Sequence, residues 1–250
     1  MTNTKLAILI DADNAQATIA QELLNEASRY GTATIKRAYG DWTTQNLTGW
    51  KETLHNFAIQ PIQQFRFTVG KNATDSALII DAMDLLHSGS VDGFCLVSSD
   101  SDFTRLATRI REQGLSVYGF GERKTPKPFV AACDKFIYTE ILREPTAQKA
   151  HSDAALEPLQ TILVPAIVAA AREDGWALLS AVGSLANKSH PSFDPRNYSY
   201  PKLGELVRKQ SFLEVKTVPS SDGGPIAHLY VRLKDSGMPR PSKGRRAAAI

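Results

Sequence analysis

The sequence predicts an α/β fold: a doubly wound, mostly parallel sheet followed by a second, smaller winged helix-turn-helix domain. Residues 1–142 alternate short apolar runs with helix-patterned segments, as in a parallel sheet covered by helices. Residues 143–157 lose this apolar rhythm and are interpreted as a linker. Residues 158–234 place helices before two strand-like runs, and residues 235–250 are predicted to form a basic, disordered tail.

The first domain is predicted to hold six strands with helices between them. Pro61 places the third strand at a sheet edge, because proline cannot donate a hydrogen bond to the ladder. Gly31 and Gly114 end the first and fourth helices, and Thr43 or Thr44 caps the second. In chain order the predicted elements are strand 6–11, helix 14–31, strand 32–42, helix 43–58, strand 59–67, helix 74–89, strand 93–100, helix 102–114, strand 115–121 and strand 136–141.

The second domain is predicted to be helical first and stranded last. Residues 212–218 and 225–233 flank the turn sequence PSSDGG and are expected to pair as a two-stranded ribbon. Pro201 is placed at the first position of the last helix, where its missing N–H costs nothing. The predicted helices are 158–174, 175–190 and 199–210.

Composition and charge indicate a globular protein that binds a polyanion. With 42% hydrophobic and 22% charged residues, the 250-residue chain resembles a globular protein with a sizeable core. Its apolar runs are too short for a signal peptide or a membrane span, so a cytoplasmic protein without membrane contact is expected. Cys95 and Cys133 lack partners at metal-ligand spacing, which disfavours zinc. The net charge is +3, and the basic excess lies in residues 150–250, which suggests a polyanionic partner.

Aspartates follow two of the predicted strands. Asp11 ends the first strand, with Asp13 and Asn14 directly after it, and Asp100 ends the fourth, with Asp102 opening the next helix. In a doubly wound sheet, ligands bind outside the carboxyl ends of the strands where the strand order reverses. If these two strands are neighbours there, Asp11, Asp100 and Asp102 face one crevice.

The helix at 74–89 supplies a further acid in its first turn, Asp75. Asp81 lies about 120° around that helix, at ~100° per residue, and is a second-tier candidate. Unpaired carboxylates in one crevice repel each other, and a divalent cation removes that conflict. Oxygen ligands favour Mg²⁺ or Mn²⁺, which can generate a hydroxide nucleophile and stabilise a phosphoryl transition state.

Each of these polar residues also has a structural interpretation. For Asp13 or Asn14 taken alone, a helix N-cap is the favoured interpretation, and Asp102 could equally cap its own helix. Ser98 and Ser99 could serve only the turn between strand and helix. Because three separate segments deliver acids to the same rim, the metal site is the better explanation of the set.

Three sequence blocks resemble the motifs of the NYN domain, in order: ILIDADNA (8–15), GKNATDSALIIDAMDLL (70–86) and LVSSDSDFTRLATRIREQGLSVYGFG (96–121). AACDKFIY (131–138) is similar to the family's closing element, so the resemblance covers residues 4–142. The NYN domain belongs to the PIN-like superfamily of metal-dependent ribonucleases, and this version is similar to its bacterial LabA-like branch. The resemblance implies endonucleolytic cleavage of RNA by water activated at Mg²⁺ or Mn²⁺. PIN-like domains often pair, so a homodimer is a candidate assembly.

Carried onto this chain, the family's metal-binding acids fall on Asp11, Asp75, Asp100 and Asp102. Asn14 would orient the first acid or a metal-bound water, which completes the expected catalytic set. Asp13 occupies a position that the family fills variably, and it joins Asp81 as a second-tier metal candidate. In the same domain, basic residues that could guide phosphates to the acids are Arg37, Lys71, Arg105 and Lys124.

The second domain resembles the OST-HTH/LOTUS domain over residues 158–234, on the match GWALLSAVGSLANKSHPSFDPRNYSYPKLGELVRKQSFLEV (175–215). That family implies a winged-helix module that binds single-stranded or structured RNA, or in some members a protein partner. The candidate RNA contacts are Arg196, Lys202, Arg208 and Lys209, with a tail cluster at Lys243, Arg245 and Arg246 adding non-specific affinity. The aromatic residues that could stack on bases are Trp176, Phe193, Tyr198 and Tyr200, and core packing is the favoured interpretation for at least Trp176 and Phe193.

Two other functions stay open at this point. Asp11 and Asp13 also form the D-x-D that opens haloacid-dehalogenase-type phosphatases, where the first acid is the nucleophile and the second the general acid. Ala15 stands where those enzymes place a hydroxyl, and no convincing lysine motif or cap domain follows. The non-enzyme alternative is a catalytically silent RNA-binding or adaptor protein, which the presence of all four acids disfavours.

Overall fold

The computed structural model describes residues 4–65, 73–143, 156–219 and 227–234. The first domain is built on a six-stranded sheet in the order β3-β2-β1-β4-β5-β6, and every neighbouring pair is parallel. The doubly wound α/β prediction is therefore confirmed, as is the edge position of the strand that carries Pro61. The strands are β1 Lys5–Asp11, β2 Thr32–Gly40, β3 Gln60–Gln63, β4 Gly93–Val97, β5 Ser116–Gly121 and β6 Lys135–Tyr138.

Helices cover both faces of this sheet and bury two apolar clusters. Three of the predicted helices begin later than expected, because short 3₁₀ turns precede α1, α2 and α4. The threonines expected to cap the second helix instead bind Asp41 of the loop before it: Thr43 through its hydroxyl to a carboxylate oxygen, and Thr44 to the backbone carbonyl. The helices are α1 Ala20–Ala27, α2 Trp50–Asn56, α3 Ala73–Ser88, α4 Thr104–Glu112 and α5 Lys127–Ala132, the last of which the sequence did not predict.

The sheet has one point where its strand order reverses, between β1 and β4. Successive strands run from β1 to β2 and β3 on one side, and then from β4 to β6 on the other. Ile10 of β1 pairs with Val97 of β4, so Asp11 and Ser98 leave the sheet side by side. β1 and β4 are neighbours, which is the condition that the predicted crevice required, and the crevice lies at their carboxyl ends.

The second domain comprises α6 Leu159–Ala170, β7 Ala177–Leu178, α7 Leu179–Ser189, α8 Leu203–Arg208, β8 Leu213–Pro219 and β9 Ala227–Leu233. Its sheet has three strands in the order β7-β9-β8, so the two-stranded ribbon prediction missed β7, a strand of only two residues. Pro201 does not open α8; the helix begins at Leu203 with Lys202 at its N-cap. Most of the predicted linker, the turn at 220–226 and the predicted tail at 235–250 lie outside the described residues.

Polar contacts join the two domains directly. Arg196 of the second domain donates two hydrogen bonds to Glu26 of α1, at 2.9 and 3.0 Å. Lys135, at the start of β6, donates to the side chain of Asn187 at 2.7 Å, and the backbone N–H of Phe136 donates to the Pro191 carbonyl at 2.9 Å. These contacts seat the second domain against the β6 side of the sheet. In the part of the chain that the structure describes, no helix has the length and apolarity needed to cross a bilayer.

Candidate metal centre and nucleic-acid interface

Asp11 is the most deeply buried acid of the crevice, with no exposed surface. One carboxylate oxygen, Oδ2, accepts hydrogen bonds from the Asn14 amide at 2.7 Å and from the Ser98 hydroxyl at 2.8 Å. The other oxygen, Oδ1, is buried and has no hydrogen-bond partner among the described residues. Burial raises the pKa of Asp11 and the charge of Asp13 adds to this, although the two hydrogen bonds oppose it. A buried carboxylate with one unsatisfied oxygen favours a cation beside it.

Three more acids converge beside this position. Asp75 of α3 and the post-strand residues Asp100 and Asp102 each offer a carboxylate oxygen, and these oxygens lie within 4.8 Å of one another. Burial raises the pKa of Asp75 to about 6, with further contributions from the charges of Asp11, Asp100 and Asp102. Asp11 lies outside the 4.8 Å group, yet it exerts the largest of the charge effects on Asp75.

The SSDSD turn positions its two acids by a local hydrogen bond. Asp100 is the N-cap of the 3₁₀ turn Ser101–Phe103, and its Oδ1 accepts from the backbone N–H of Asp102 at 2.9 Å. The backbone N–H of Asp100 in turn donates to the Ser98 hydroxyl at 3.1 Å. The capping role considered for Asp102 therefore belongs to Asp100, whose second oxygen is left for another partner.

The donor set fits a hard divalent cation. The three oxygens within 4.8 Å of one another are carboxylate oxygens, one from α3 and two from the turn after β4. Asp11, at the end of β1, adds a buried carboxylate whose Oδ1 is unsatisfied. Mg²⁺ and Mn²⁺ prefer such oxygen ligands, whereas zinc favours nitrogen and sulfur. The residues that could hold the ion are Asp11, Asp75, Asp100 and Asp102.

The residues after Asp11 do not cap a helix. The 3₁₀ turn Ala17–Ile19 has Gln16 at its N-cap, without a side-chain hydrogen bond. The Asn14 side chain instead binds Asp11, which is the contact that orienting this acid requires. Asp13 is exposed and acts on Asp11 through its charge. The N-cap interpretation of Asp13 and Asn14 is therefore wrong for this turn.

Ser98 is a site residue that the sequence interpretation undervalued. Its hydroxyl lies 2.8 Å from Asp11 and is almost fully buried, so it fixes the acid in place. The contact between Ser98 and Asp11 follows from strand pairing, because Ser98 comes after Val97 and Asp11 comes after Ile10, the partner of Val97. The sequence around Ser98 does not show this pairing. The neighbouring Ser99 acts elsewhere, since its hydroxyl accepts a hydrogen bond from the backbone N–H of Glu122 at 2.8 Å.

Two predicted residues of the first domain bind each other. Arg37 of β2 donates to Asp81 of α3 at 2.9 Å, and the Tyr39 hydroxyl donates to the same carboxylate at 2.9 Å. Asp81 is not part of the three-acid group, and the charge of Asp81 is balanced by Arg37. Arg105 is exposed on α4, and Lys124 pairs with Glu122 at 2.7 Å. Lys71 lies outside the described residues.

The predicted basic residues of the second domain divide into two groups. Lys202, Arg208 and Lys209 are exposed around α8, and Arg208 donates weakly to the Thr217 hydroxyl at 3.3 Å. Arg196 is held by two carboxylates, Glu26 across the interface and Asp194 beside it. Arg196, predicted to contact RNA, thus joins the two domains instead.

Cations and aromatic rings interleave on the outer face of the second sheet. The Lys216 ammonium lies 4.1 Å from the ring centre of Trp176, and the Arg232 guanidinium lies 4.7 Å from it. Lys216 and Arg172 also approach Tyr230, at 5.7 and 5.6 Å. These five residues are called the cation–aromatic strip. Trp176 is absent from the buried core cluster, so the core-packing interpretation fails for it.

Phe193, in contrast, is only 3% exposed and belongs to that cluster, as predicted. The rings of the strip are partly exposed and combine two features that nucleic-acid surfaces use, stacking faces and positive charge.

Similarity to known proteins agrees with this geometry. Residues 5–142 match the model of the NYN domain, and residues 154–224 match that of the OST-HTH/LOTUS domain. None of the curated proteins compared with this chain matches it significantly.

Solved structures resemble parts of the chain. A protein of unknown function from Vibrio parahaemolyticus is 21% identical, over 54% of this chain and 91% of its own, with a TM-score of 0.46. A protein fragment from Chromobacterium violaceum is 44% identical over 34% of this chain and 89% of its own, with a TM-score of 0.27. An uncharacterized protein from Nitrosomonas europaea is 24% identical over 40% and 94%, with a TM-score of 0.31. These TM-scores are all below 0.5, and the family assignment depends on the two domain models.

The NYN match covers more than half of the chain and contains all four acids of the crevice. The NYN domain belongs to the PIN-like nuclease superfamily, and its parallel α/β architecture is the one observed here. The chain therefore belongs to the NYN domain family, with an OST-HTH/LOTUS domain following the NYN domain.

Proposed function

We propose that this protein is a metal-dependent endoribonuclease that hydrolyses RNA phosphodiester bonds. The observation that carries the proposal is the convergence of Asp75, Asp100 and Asp102 within 4.8 Å, beside the buried and half-satisfied Asp11. This cluster stands at the strand-order reversal of an NYN domain, where a doubly wound sheet binds its ligand.

The ion that suits these ligands is Mg²⁺ or Mn²⁺, held by Asp11, Asp75, Asp100 and Asp102. When bound, such an ion supplies an activated water and stabilises negative charge on the phosphate. Asn14 and Ser98 keep Asp11 in a single orientation through their hydrogen bonds to Oδ2. One carboxylate oxygen of Asp100, Oδ1, accepts the backbone hydrogen bond of the turn, and the other is available to an ion in the crevice.

RNA is held in part by the second domain. The cation–aromatic strip offers stacking faces, and Lys202, Arg208 and Lys209 offer phosphate contacts around α8. In the first domain, Arg105 and Lys124 stay candidates for guiding phosphates toward the acids. Single strands and unpaired loops suit such a surface, because their bases are free to stack on aromatic rings. A protein partner of the second domain and a homodimer stay predictions.

The test is cleavage of labelled single-stranded RNA with Mg²⁺ or Mn²⁺ by the wild type and by Asp100→Asn. Asparagine keeps an oxygen that can accept the Asp102 N–H, so the turn survives while one ligand charge is lost. Asp84→Asn is the matched control, because Asp84 is exposed on α3 and outside the acid cluster. We expect Asp100→Asn to abolish cleavage and Asp84→Asn to retain it.

Equal cleavage by wild type and Asp100→Asn would sink the nuclease proposal and leave the silent RNA-binding protein. The phosphatase alternative makes a different prediction, because it requires Asp13 as general acid. Asp13→Asn with unchanged metal-dependent RNA cleavage excludes that alternative. The NYN match already supports the nuclease over it.

A further inference from the structure

A cleft of about 530 Å³ lies between the two domains. Arg123, Lys127 and Tyr138 line it from the first domain, and His190 and Tyr198 line it from the second. Arg123 follows β5, and Tyr138 ends β6, so the cleft opens at the same edge of the sheet as the acids. Domain interfaces are a common location for ligand sites, and this volume lies within the usual range.

The first-domain wall is cationic. Lys127 is exposed, and its side chain forms no hydrogen bond or ion pair within the described part of the chain. Arg123 lies 5.6 Å above the ring of Tyr138 and donates one side-chain hydrogen bond, to Asn197 at 3.2 Å. A guanidinium has five N–H donors, so Arg123 keeps donors for an anion. The wall thus offers two positive groups to a ligand.

The second-domain wall carries the rings of Tyr198 and His190 beside the Glu157 carboxylate. The Tyr198 hydroxyl donates to the backbone carbonyl of Glu157 at 2.7 Å, which fixes the ring at the cleft. His190 places Nε2 3.5 Å from a Glu157 carboxylate oxygen, while its buried Nδ1 has no partner among the described residues. A planar ligand in the cleft would pack against the Tyr198 ring and the exposed part of the His190 ring.

The cleft is preformed, because polar contacts fix the two domains around it. Arg196 clamps Glu26, Lys135 binds Asn187, and Phe136 binds Pro191 through the backbone. Because the two domains need not close around a ligand, binding does not cost the conformational entropy of ordering them.

We propose that this cleft binds one nucleotide unit, with its phosphate at Arg123 and Lys127 and its base against Tyr198 and His190. Phosphate and a stacking base are the two chemistries that the walls complement. The nucleotide could belong to an RNA strand or be free in solution, since both present the same groups.

Position relative to the acids favours the RNA strand. The acids follow β1 and β4, and the cleft follows β5 and β6, the next two strands of the sheet. Neighbouring strands lie about 4.8 Å apart, so the cleft begins roughly 5–10 Å along the edge from the end of β4. The Ser99–Glu122 hydrogen bond joins the two loops, and Arg123 is the next residue. In this respect the inference rests on the proposed function: the cleft holds a nucleotide flanking the one that is cut.

The experiment uses the full chain carrying Asp100→Asn, so that RNA binding is read without cleavage. Fluorescence anisotropy of a fluorescein-labelled single-stranded RNA of about ten nucleotides measures affinity, and calorimetry with AMP measures binding of the free nucleotide. Lys127→Glu removes the unpartnered cation, and His190→Ala removes the unsatisfied ring. Lys5→Glu is the matched control, since Lys5 is exposed at the start of β1, at the opposite end of the strands from the cleft.

We expect Lys127→Glu and His190→Ala each to weaken RNA binding roughly tenfold, as loss of a phosphate contact or a stacking contact does. Lys5→Glu should leave the affinity unchanged. AMP binding that Lys127→Glu abolishes would mean that the cleft also takes the free nucleotide, and absence of AMP binding would mean that it reads the strand alone. Affinity for both ligands that is unaltered by Lys127→Glu and His190→Ala would overturn the inference.

The two proposals fail separately. Equal cleavage by wild type and Asp100→Asn contradicts the nuclease but leaves the anisotropy result standing. Unchanged anisotropy in Lys127→Glu contradicts the cleft but leaves the cleavage result standing.

Discussion

Replacing Arg196 with methionine should loosen the joint between the two domains. The guanidinium donates to Glu26 at 2.9 and 3.0 Å and to Asp194 at 2.8 and 2.9 Å. Glu26 is 4% exposed and Asp194 8%, so water cannot replace the lost donors. Burial alone would raise the pKa of both acids, but Arg196 holds both below their ordinary values.

The size of the effect follows from the charges left behind. Breaking a buried ion pair by removing one partner costs about 3–5 kcal/mol, because the remaining charge is buried without compensation. The wild-type acids, with lowered pKa values, contribute stability above pH 4.5 and lose it as pH falls through their folded pKa values. Without Arg196 their pKa values should rise, so the cost should be largest near pH 7 and shrink in acid.

Arg29→Met is the matched control for the same carboxylate. Arg29 binds Glu26 at 3.0 Å, but its side chain is 64% exposed, and such pairs contribute only about 0.2–1 kcal/mol. Urea unfolding at pH 7 and at pH 4 measures both variants. Trp42 and Trp50 report on the first domain and Trp176 on the second, so separate transitions would show that the domains have uncoupled. An Arg196→Met cost no larger than that of Arg29→Met would refute the reasoning.

Two further predictions concern the metal and the RNA. Metal binding requires ionised carboxylates, so calorimetric Mn²⁺ affinity should fall as pH drops below about 6, the pKa of Asp75, by roughly tenfold per pH unit. Asp75→Asn should weaken this dependence, and Asp11, whose pKa is also raised, should account for what remains. A flat profile in the wild type would contradict the prediction. Without metal the folded state binds more protons than the unfolded one, so stability should decrease as pH rises through this window. Trp176→Ala should weaken RNA binding roughly tenfold without changing the slope of log affinity against log salt concentration. Lys216→Ala should reduce that slope by about one. Equal slopes for the two variants would argue against the cation–aromatic strip as the interface.

The first domain could be predicted from sequence because its signals are local. The two central strands, β1 and β4, are apolar runs, and each acid of the crevice follows one of these runs or lies in the first turn of a helix. The rule that ligands bind at the strand-order reversal is then enough to join Asp11 with Asp100. The two-residue strand β7 and the six-residue helix α5 were missed because neither shows a clear period.

The remaining features depend on contacts between distant segments. Arg196 looks like any surface arginine until the fold brings Glu26 against it, 170 residues away along the chain. Trp176 is a large aromatic residue of the kind expected in a core, but its ring lies on the outer face of the sheet, where Lys216 and Arg232 cover it. Ser98 gains its role only through the pairing of β1 with β4. No local pattern carries such information.

The position of β1 in the sheet also affects how the domain is made on the ribosome. Except at its first residue, β1 is wholly buried, and it pairs on one side with β2, the next strand in the chain. Its other partner, β4, is synthesised some eighty residues after β1 ends, about 4–16 seconds later at 5–20 residues per second. During that interval one edge of β1, which is apolar from Leu6 to Ile10, has no partner, and Asp11 has neither Ser98 nor the later acids beside it. The nascent chain therefore cannot hold the complete acid cluster until β4 and the turn after it have left the exit tunnel.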